Sequence, residues 1–243
     1  MPFFLTCVFL SFLLLPAVKA GNNKTGSGPF RRVGRDALTA KAATFTNNSN
    51  VLYDSLKLQR LGLSKQALLY AFQGQQKLAE KGMLENPSVL TVCDFTQSSE
   101  SKRMYIIDLK NCKLLLNTFV AHGRNSGLNY AQRFSNSMKS LESSLGFYVT
   151  KNIYFGKHGL SLRLSGLEKG FNDNAERRAV VVHGAPYIGE QRSDAAYMGR
   201  SFGCPAVPQN LATKVINLIK DGTCLFIYHP SKSYLHGSRI LNG

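Results

Sequence analysis

The feature of the sequence that most constrains its fold is a change of hydrophobic period at Val89. From there to residue 228, short apolar runs rich in β-branched and aromatic residues alternate with polar turns, which is typical of β-strands. The predicted strands are 89–95, 103–109, 112–121, 147–154, 160–167, 178–182 and 224–228. A helix with apolar residues at Leu211, Val215 and Ile219 precedes the last strand. The sequence therefore predicts a mainly β fold with one late helix.

Two helices are predicted before the strands, and they form a small N-terminal helical region, residues 51–85. Residues 51–61 carry apolar side chains at near-helical spacing, and a second helix begins after the N-cap Ser64 and ends near Gly82. Residues 21–50 are rich in small polar and basic residues without a steady hydrophobic period, which predicts a flexible leader. The strand-rich segment 86–230 is the predicted main domain, and residues 231–243 are a C-terminal tail.

The N-terminal segment is strongly apolar. Residues 2–18 form an apolar run, the segment ends at Val18-Lys19-Ala20 in the small-x-small form of a signal-peptidase site, and small polar residues follow. The run is short for a membrane-spanning helix. We therefore predict that residues 1–20 are a signal peptide and that the protein is exported to the periplasm or cell envelope. Because no lysine or arginine precedes the apolar run, an uncleaved membrane anchor is the alternative.

The chain is strongly basic, with 30 lysines and arginines against 14 acidic residues and a net charge of +16. Such a charge favours anionic partners. The basic residues are scattered and no nucleic-acid-binding motif accompanies them, so we predict an anionic polymer outside the cytoplasm, not a nucleic acid. General solubility is the competing explanation. No spacing of histidines, cysteines or acidic residues is typical of a metal site, so neither a metal nor a cofactor is expected.

Four cysteines follow the predicted signal peptide. Cys93, Cys112 and Cys224 lie in apolar, strand-like sequence, whereas Cys204 lies in a loop with glycine and proline. Four cysteines in an exported protein allow three disulfide pairings, but a buried free cysteine also serves as a small apolar core residue. The sequence leaves the state of the first three open and predicts that Cys204 is free.

A histidine and a cysteine form the candidate reactive pair. The apolar run 178–182 leads directly into His183-Gly184, and Cys204 lies in the loop Ser201-Phe202-Gly203-Cys204-Pro205 before the late helix. A nearby imidazole can lower the pKa of a thiol and make the nucleophilic thiolate available. Gly203 lets the backbone approach a bound carbonyl, with amide N–H groups to hold an oxyanion. The pattern predicts nucleophilic catalysis by Cys204 with His183.

Residues 199–206 read Gly-Arg-Ser-Phe-Gly-Cys-Pro-Ala. With a histidine at the end of a strand before this loop, and a helix and a strand after it, the sequence resembles the YkuD-type L,D-transpeptidase catalytic domain. It is most similar to murein L,D-transpeptidases with a Gly-Arg-Ser-x-Gly-Cys-Pro-Ala signature. The resemblance covers roughly residues 51–229, with further matching segments at 120–124, 134–136, 144–146, 156–159, 166–168 and 172–175.

The resemblance implies a β-sandwich in which residues 86–230 are the catalytic domain. It implies that Cys204 attacks a carbonyl in a peptidoglycan stem tetrapeptide, usually that of diaminopimelate, and releases D-alanine. His183 would keep the sulfur ionised and pass the proton to the leaving amine, and the Gly184 carbonyl would orient the imidazole. The amides of Gly203 and Cys204 would hold the oxyanion. An amine acceptor would then resolve the thioester and give a 3-3 cross-link.

The sequence departs from the family pattern at two positions near the nucleophile. Many members have histidine or arginine before the glycine and arginine two positions after the cysteine, where this chain has Phe202 and Ala206. The arginine that binds the substrate carboxylate is therefore missing from its usual place, and we predict that Arg200 or Arg163 replaces it. Ser201 is predicted to brace the loop. The predicted substrate-binding residues are Arg200, Ser201, Arg163 and Tyr187.

Two other functions are consistent with the same residues. One is an L,D-carboxypeptidase, or another thiol amidohydrolase acting on peptidoglycan. The other is a catalytically silent wall-binding protein, for which the basic charge would be the main asset. Whatever its function, the protein is expected to be a monomer.

His122-Gly123 and His158-Gly159 are not followed by a thiol at matching spacing, so we assign them to cleft or turn positions. His229 is predicted to lie at the surface.

Overall fold

The computed structural model describes residues 30–192, 195 and 197–243, so the predicted signal peptide lies outside the described residues. The chain divides into two compact units, Met1–Thr39 and Ala40–Gly243. The described part of the first unit is helical backbone, and the fold and site below belong to the second. Among the described residues, no helix is long and apolar enough to cross a membrane.

Helix α1, Phe30–Ser55, covers most of the segment that was predicted as a flexible leader. The difference has a local cause, because residues 37–43 contain four alanines and a lysine, which favour a helix without any hydrophobic period. Residues 21–29 of the predicted leader lie outside the described residues. Helix α2, Lys65–Glu80, begins as expected after Ser64, whose hydroxyl accepts from the Ala67 N–H at 3.3 Å.

Among the described residues, eight strands and three further helices follow α2. The strands are β1 Val89–Asp94, β2 Met104–Asp108, β3 Lys113–Thr118, β4 Gly146–Gly156, β5 Gly159–Gly166, β6 Val181–Ala185, β7 Ala206–Pro208 and β8 Cys224–Tyr228. The sequence analysis missed β7, because three residues that end in proline give no period-2 signal. The late helix is α3, Ala212–Ile219. Two short helices, α4 Lys232–Gly237 and α5 Arg239–Asn242, form the predicted C-terminal tail. The predicted mainly β fold is confirmed.

All eight strands belong to one mixed sheet in the order β3-β2-β1-β8-β4-β5-β6-β7. The sheet nearly closes on itself, because the chain just after β3 hydrogen-bonds to the segment that leads into β7. The Ala121 N–H donates to the Ala206 carbonyl at 2.8 Å, and the Ser201 N–H donates to the His122 carbonyl at 2.9 Å. The loop that carries Cys204 is thereby fixed at the seam of the sheet, between Ser201 and β7.

The helices cover the sheet and enclose its apolar core. Helix α2 packs on β1 and β8, and α3 packs mainly on β5, β6 and β1. Gly74 of α2 faces the ring of Phe147, and a Cβ at that position would lie 2.0 Å from the ring. Phe147 also stacks on Phe226 with 4.1 Å between ring centroids. The close approach of α2 to the sheet therefore requires glycine at this point.

A buried carboxyl group connects the C-terminal helices to the sheet. Glu168 accepts hydrogen bonds from the Phe147 N–H and the Tyr234 hydroxyl, both at 2.8 Å, and from the Ser238 hydroxyl. Burial raises the pKa of Glu168 above its ordinary value. Residues 231–243 are therefore a packed part of the domain.

The four cysteines after the N-terminal segment are all free. Cys93 and Cys224 are buried in β1 and β8, as their apolar context suggests. Cys112, in contrast, is exposed in the turn before β3 and has a left-handed φ of 47°. The apolar residues that follow Cys112 caused its assignment to a strand, but the turn ends only at Lys113.

Candidate active site

One cleft contains most of the predicted site residues. It has a volume of about 670 Å³ and lies between the β4–β5 turn, the start of β6 and the nucleophile loop, residues 201–205. The predicted site residues that line it are Cys204, His183, Ser201, Tyr187 and Arg200. Arg163 is not among the residues that line it. The fold therefore brings the predicted thiol and imidazole to the same cavity.

Cys204 contacts the backbone just before and at the start of β6. The Val181 N–H donates to its Sγ at 3.5 Å, and the thiol donates to the Ala179 carbonyl oxygen at 3.6 Å. Ala179 has a left-handed φ of 54°, which a residue with a side chain rarely adopts. Burial raises the pKa of the Cys204 thiol, while the Val181 N–H and the charges of Arg178 and Lys157 partly oppose this effect. The resting sulfur is therefore protonated at neutral pH.

His183 lies on β6, between β5 and β7. Its Nδ1 is 2.8 Å from the Gly184 carbonyl oxygen, so Nδ1–H is the donor and the lone pair is on Nε2. The ring of His158 stacks on it, with 4.2 Å between centroids and 20° between planes. Burial lowers the pKa of His183, and the nearby His158 and Lys157 lower it further. Among the described residues no hydrogen bond joins this ring to Cys204 Sγ.

Ser201 holds the nucleophile loop from inside. Its hydroxyl donates to the Cys204 carbonyl at 2.6 Å and accepts from the Gly203 N–H at 3.0 Å. Gly203 has a φ of 121°, and a Cβ there would lie 2.7 Å from the Glu142 carbonyl oxygen. The Gly203 N–H already has the Ser201 hydroxyl as its acceptor, and its expected role toward an oxyanion stays a prediction. The Cys204 N–H, which has no acceptor among the described residues, is the amide that remains for this role.

Arg178 is a cleft residue that the sequence analysis did not single out. Its half-buried guanidinium donates to the carbonyls of Ser135 at 2.6 Å and Glu142 at 2.5 Å, and to the hydroxyls of Ser140 at 3.1 Å and Ser144. All four acceptors belong to the long loop 122–145. Arg178 therefore ties this loop to the segment just before β6, with its guanidinium beside Gly203. Its only sequence signal is a basic residue at the start of the apolar run before His183.

The two arginines predicted to bind a carboxylate have other contacts. Nη1 of Arg200 donates to the carbonyls of Arg124 at 2.8 Å and Gly127 at 3.1 Å, and its guanidinium lies over the Tyr197 ring at 4.6 Å. Arg163 is exposed on β5, with its guanidinium 4.5 Å from the centroid of the Tyr154 ring. Nη1 of Arg200 is thus engaged by the loop, its Nη2 donates to the Tyr197 hydroxyl at 3.4 Å, and its buried Nε has no partner among the described residues. Arg163 lies beside the cleft, against its lining residue Tyr154.

Tyr187 is the remaining predicted substrate-binding residue, and it lies within the cleft. Its side chain is half-buried, and burial together with the nearby Cys204 raises the pKa of its hydroxyl. The Tyr187 carbonyl accepts from the Gly199 N–H at 3.1 Å, which fixes the chain just before the nucleophile loop. The phenol is therefore neutral and available as a hydrogen-bond donor near the sulfur.

The other histidines have structural environments. The fully buried His122 has its Nδ1 2.8 Å from an Arg103 nitrogen and its Nε2 3.2 Å from the Gly127 carbonyl oxygen. Burial, with the charge of Arg103, lowers the pKa of His122 to about 4, so the ring is neutral. His229 was predicted at the surface, but it is half-buried with its ring 4.9 Å from that of Phe134. Among the described residues, no group of side chains could hold a metal ion.

The sequence matches the family model of the L,D-transpeptidase catalytic domain over residues 59–228, which is more than half of the chain. A search of curated proteins finds no significant match. Similar solved structures include an L,D-transpeptidase from Mycobacterium smegmatis, with 13% identity over 58% of this chain and 59% of that chain and a TM-score of 0.36. The helical cell shape determining protein Pgp2 from Campylobacter jejuni has 14% identity over 66% and 57%, with a TM-score of 0.40.

A further similar structure is the L,D-transpeptidase from Stackebrandtia nassauensis, with 14% identity over 67% of this chain and 66% of that chain and a TM-score of 0.34. The chain thus spans between 57% and 66% of the length of these solved relatives. The family assignment depends on the sequence match, which includes the cleft, the histidine and the nucleophile loop. The chain belongs to the L,D-transpeptidase catalytic-domain family.

Proposed function

We propose that this chain is an exported L,D-transpeptidase that acts on peptidoglycan stem peptides with Cys204 as its nucleophile. The observation that supports this most strongly is that Cys204 and His183 line one cleft in a chain of this family. The net charge of +16 is consistent with an anionic cell wall as the partner. Export is proposed from the apolar N-terminal segment alone, and sequencing the N-terminus of the mature protein tests it.

The environment of the pair favours a neutral resting state. Burial raises the pKa of Cys204 and lowers that of His183, so both groups are uncharged near pH 7. In the proposed first step, Nε2 of His183 takes the Sγ proton while the sulfur attacks the stem carbonyl carbon. The Gly184 carbonyl accepts from Nδ1–H of the resulting imidazolium. The Cys204 N–H donates to the oxyanion. The resting nucleophile is thus a neutral thiol and not the thiolate that the resemblance implies. His183 then acts as a general base.

The second half of the reaction restores the thiol. As the tetrahedral intermediate collapses to a thioester, the C–N bond breaks and His183 returns its proton to the amine of the leaving D-alanine. An amine then attacks the thioester carbonyl carbon while His183 takes a proton from it. As the C–S bond breaks, His183 passes this proton to the sulfur. A diaminopimelate side chain as this amine gives a 3-3 cross-link. Water in its place gives a shortened stem, which is carboxypeptidase activity.

Product analysis separates these outcomes. The protein is incubated with a disaccharide-tetrapeptide, and the products are identified by mass spectrometry. Free D-alanine with a cross-linked dimer supports the transpeptidase, whereas a tripeptide alone identifies a carboxypeptidase. Cys204→Ser should abolish either product, because hydroxyl is a much weaker nucleophile, and Cys112→Ser, which removes an exposed thiol outside the cleft, should not. Retention on peptidoglycan without any product would contradict both and leave a wall-binding protein.

A further inference from the structure

The basic side chains of the cleft differ in whether they already have hydrogen-bond partners in the protein. Its basic side chains are Lys157, Arg178 and Arg200. Both Nη atoms of Arg178 donate to loop 122–145, and Nη1 of Arg200 donates to two backbone carbonyls. These two guanidinium groups therefore hold the walls of the cleft. Nη2 of Arg200 donates to the Tyr197 hydroxyl and its Nε is buried, so a direct contact with a substrate anion calls for an exposed cation without such partners.

Lys157 fits this requirement. It lies in the turn between β4 and β5, it is exposed, and it lines the cleft together with Cys204 and His183. Among the described residues its ammonium group has no ion pair or hydrogen bond. The next residue, His158, stacks on the His183 ring, so the turn is held against the imidazole. An unpaired cation is therefore held next to the nucleophile.

We propose that Lys157 binds the carboxylate of the substrate residue next to the scissile amide. This inference rests on the proposed function, which supplies a substrate with such a group, the terminal D-alanine of the stem. The chain lacks an arginine two positions after Cys204, and Ala206 at that position is buried and cannot bind an anion. An ammonium group on a flexible stem at an exposed turn reaches an anion as a point charge, without the fixed geometry of a guanidinium fork.

Alkylation of Cys204 by two reagents tests the charge at this position without any transpeptidase activity. Iodoacetate and iodoacetamide attack the same sulfur and differ in one negative charge. The ratio of their rates is therefore independent of the thiolate fraction. The rates are measured at Cys204 by peptide mass mapping, which separates it from the exposed Cys112. Lys157→Gln should lower the iodoacetate to iodoacetamide ratio by about fivefold at low salt, the effect expected for one partly solvated charge nearby.

Matched variants make the result specific. Lys157→Arg keeps the charge and should keep the ratio, and Lys151→Gln removes an exposed lysine of the same hairpin that does not line the cleft. Lys151→Gln should leave the ratio unchanged. An unchanged ratio in Lys157→Gln would overturn the proposal. A larger fall in Arg163→Gln than in Lys157→Gln would also overturn it, because the anion would then be bound at the Tyr154 side of the cleft.

The substrate itself gives the second readout. With the disaccharide-tetrapeptide, Lys157→Gln should raise KM about fivefold or more, and the wild type should show a similar rise when the terminal carboxylate is amidated. If amidation of the terminal carboxylate raised KM as much in Lys157→Gln as in the wild type, Lys157 would not be the group that binds this carboxylate. If the protein turns over no stem peptide at all, the proposed function fails. The alkylation ratio still decides whether Lys157 attracts carboxylates to Cys204.

Discussion

Arg178 connects the long loop 122–145 to the segment just before β6, and its replacement tests whether this connection determines the stability and the reactivity of the site. Arg178→Gln removes charge-assisted hydrogen bonds to the carbonyls of Ser135 and Glu142 and leaves both oxygens without this donor. Each such bond contributes about 1.5–3 kcal/mol when buried. Because the guanidinium is only half-buried, we expect a total loss of about 3 kcal/mol.

For a domain of this size, a loss of about 3 kcal/mol corresponds to a fall in Tm of about 6–12 °C, measured by calorimetry. Arg178→Lys keeps the charge but cannot reach four acceptors with one ammonium group, so it should recover only part of this loss. The thiol gives a second readout. Because the charge of Arg178 lowers the pKa of Cys204, the pH midpoint of iodoacetamide alkylation should rise in Arg178→Gln and rise less in Arg178→Lys.

The neighbouring Arg177 is the matched control. It is exposed, and its one hydrogen bond is to Asn174 at 3.4 Å, so Arg177→Gln should change the unfolding free energy by less than about 0.5 kcal/mol. The same Tm in Arg178→Gln and Arg177→Gln would show that the contacts of Arg178 do not stabilise the domain. A large fall in Tm with an unchanged alkylation profile would show that Arg178 supports the loop without affecting the sulfur.

Three further predictions concern pH and packing. Because burial raises the pKa of Glu168 above 4.5 in the folded state, wild-type stability should fall as pH rises from 4.5 through that pKa, and urea unfolding of Glu168→Gln should lack this component. Because burial lowers the pKa of His183 below 6.5 and its neutral form is the base, kcat/KM should fall on the acid side with a midpoint below pH 6.5; a midpoint above 6.5 would contradict the neutral pair. Gly74→Ala should destabilise the domain by about 1–3 kcal/mol in urea unfolding, since the buried Phe147 ring blocks the added methyl group; a more stable variant would show that the ring can move.

Local sequence patterns were sufficient for seven of the eight strands and for α2 and α3, but not for α4 and α5, which lie in the predicted C-terminal tail. These signals act over a few residues, so the neighbouring sequence is enough to place the element that each one begins or ends. They are the period change at Val89, the N-cap Ser64 and the glycine after the late helix. Two other elements were not predicted because their sequences show no hydrophobic period. Strand β7 is too short to show a period, and α1 forms from good helix formers without an amphipathic pattern.

That Cys204 and His183 lie in one cleft could also be predicted, because the motif residues and their order are present in the sequence. Their catalytic roles stay a prediction. The role of Arg200 could not be predicted, since its Nη1 donates to carbonyls of a loop about seventy residues earlier in the chain. The same is true of Arg178, whose acceptors lie in a loop about forty residues earlier in the chain.

Residue type and spacing alone indicate which residues can form strands, which thiol can be a nucleophile and which family the chain resembles. Only the tertiary structure decided the protonation of Cys204 and His183, since burial acts on each from residues distant in the chain. It also decided which cation remains free in the cleft. Two of three basic side chains are used to hold the walls, and Lys157 is left facing the nucleophile.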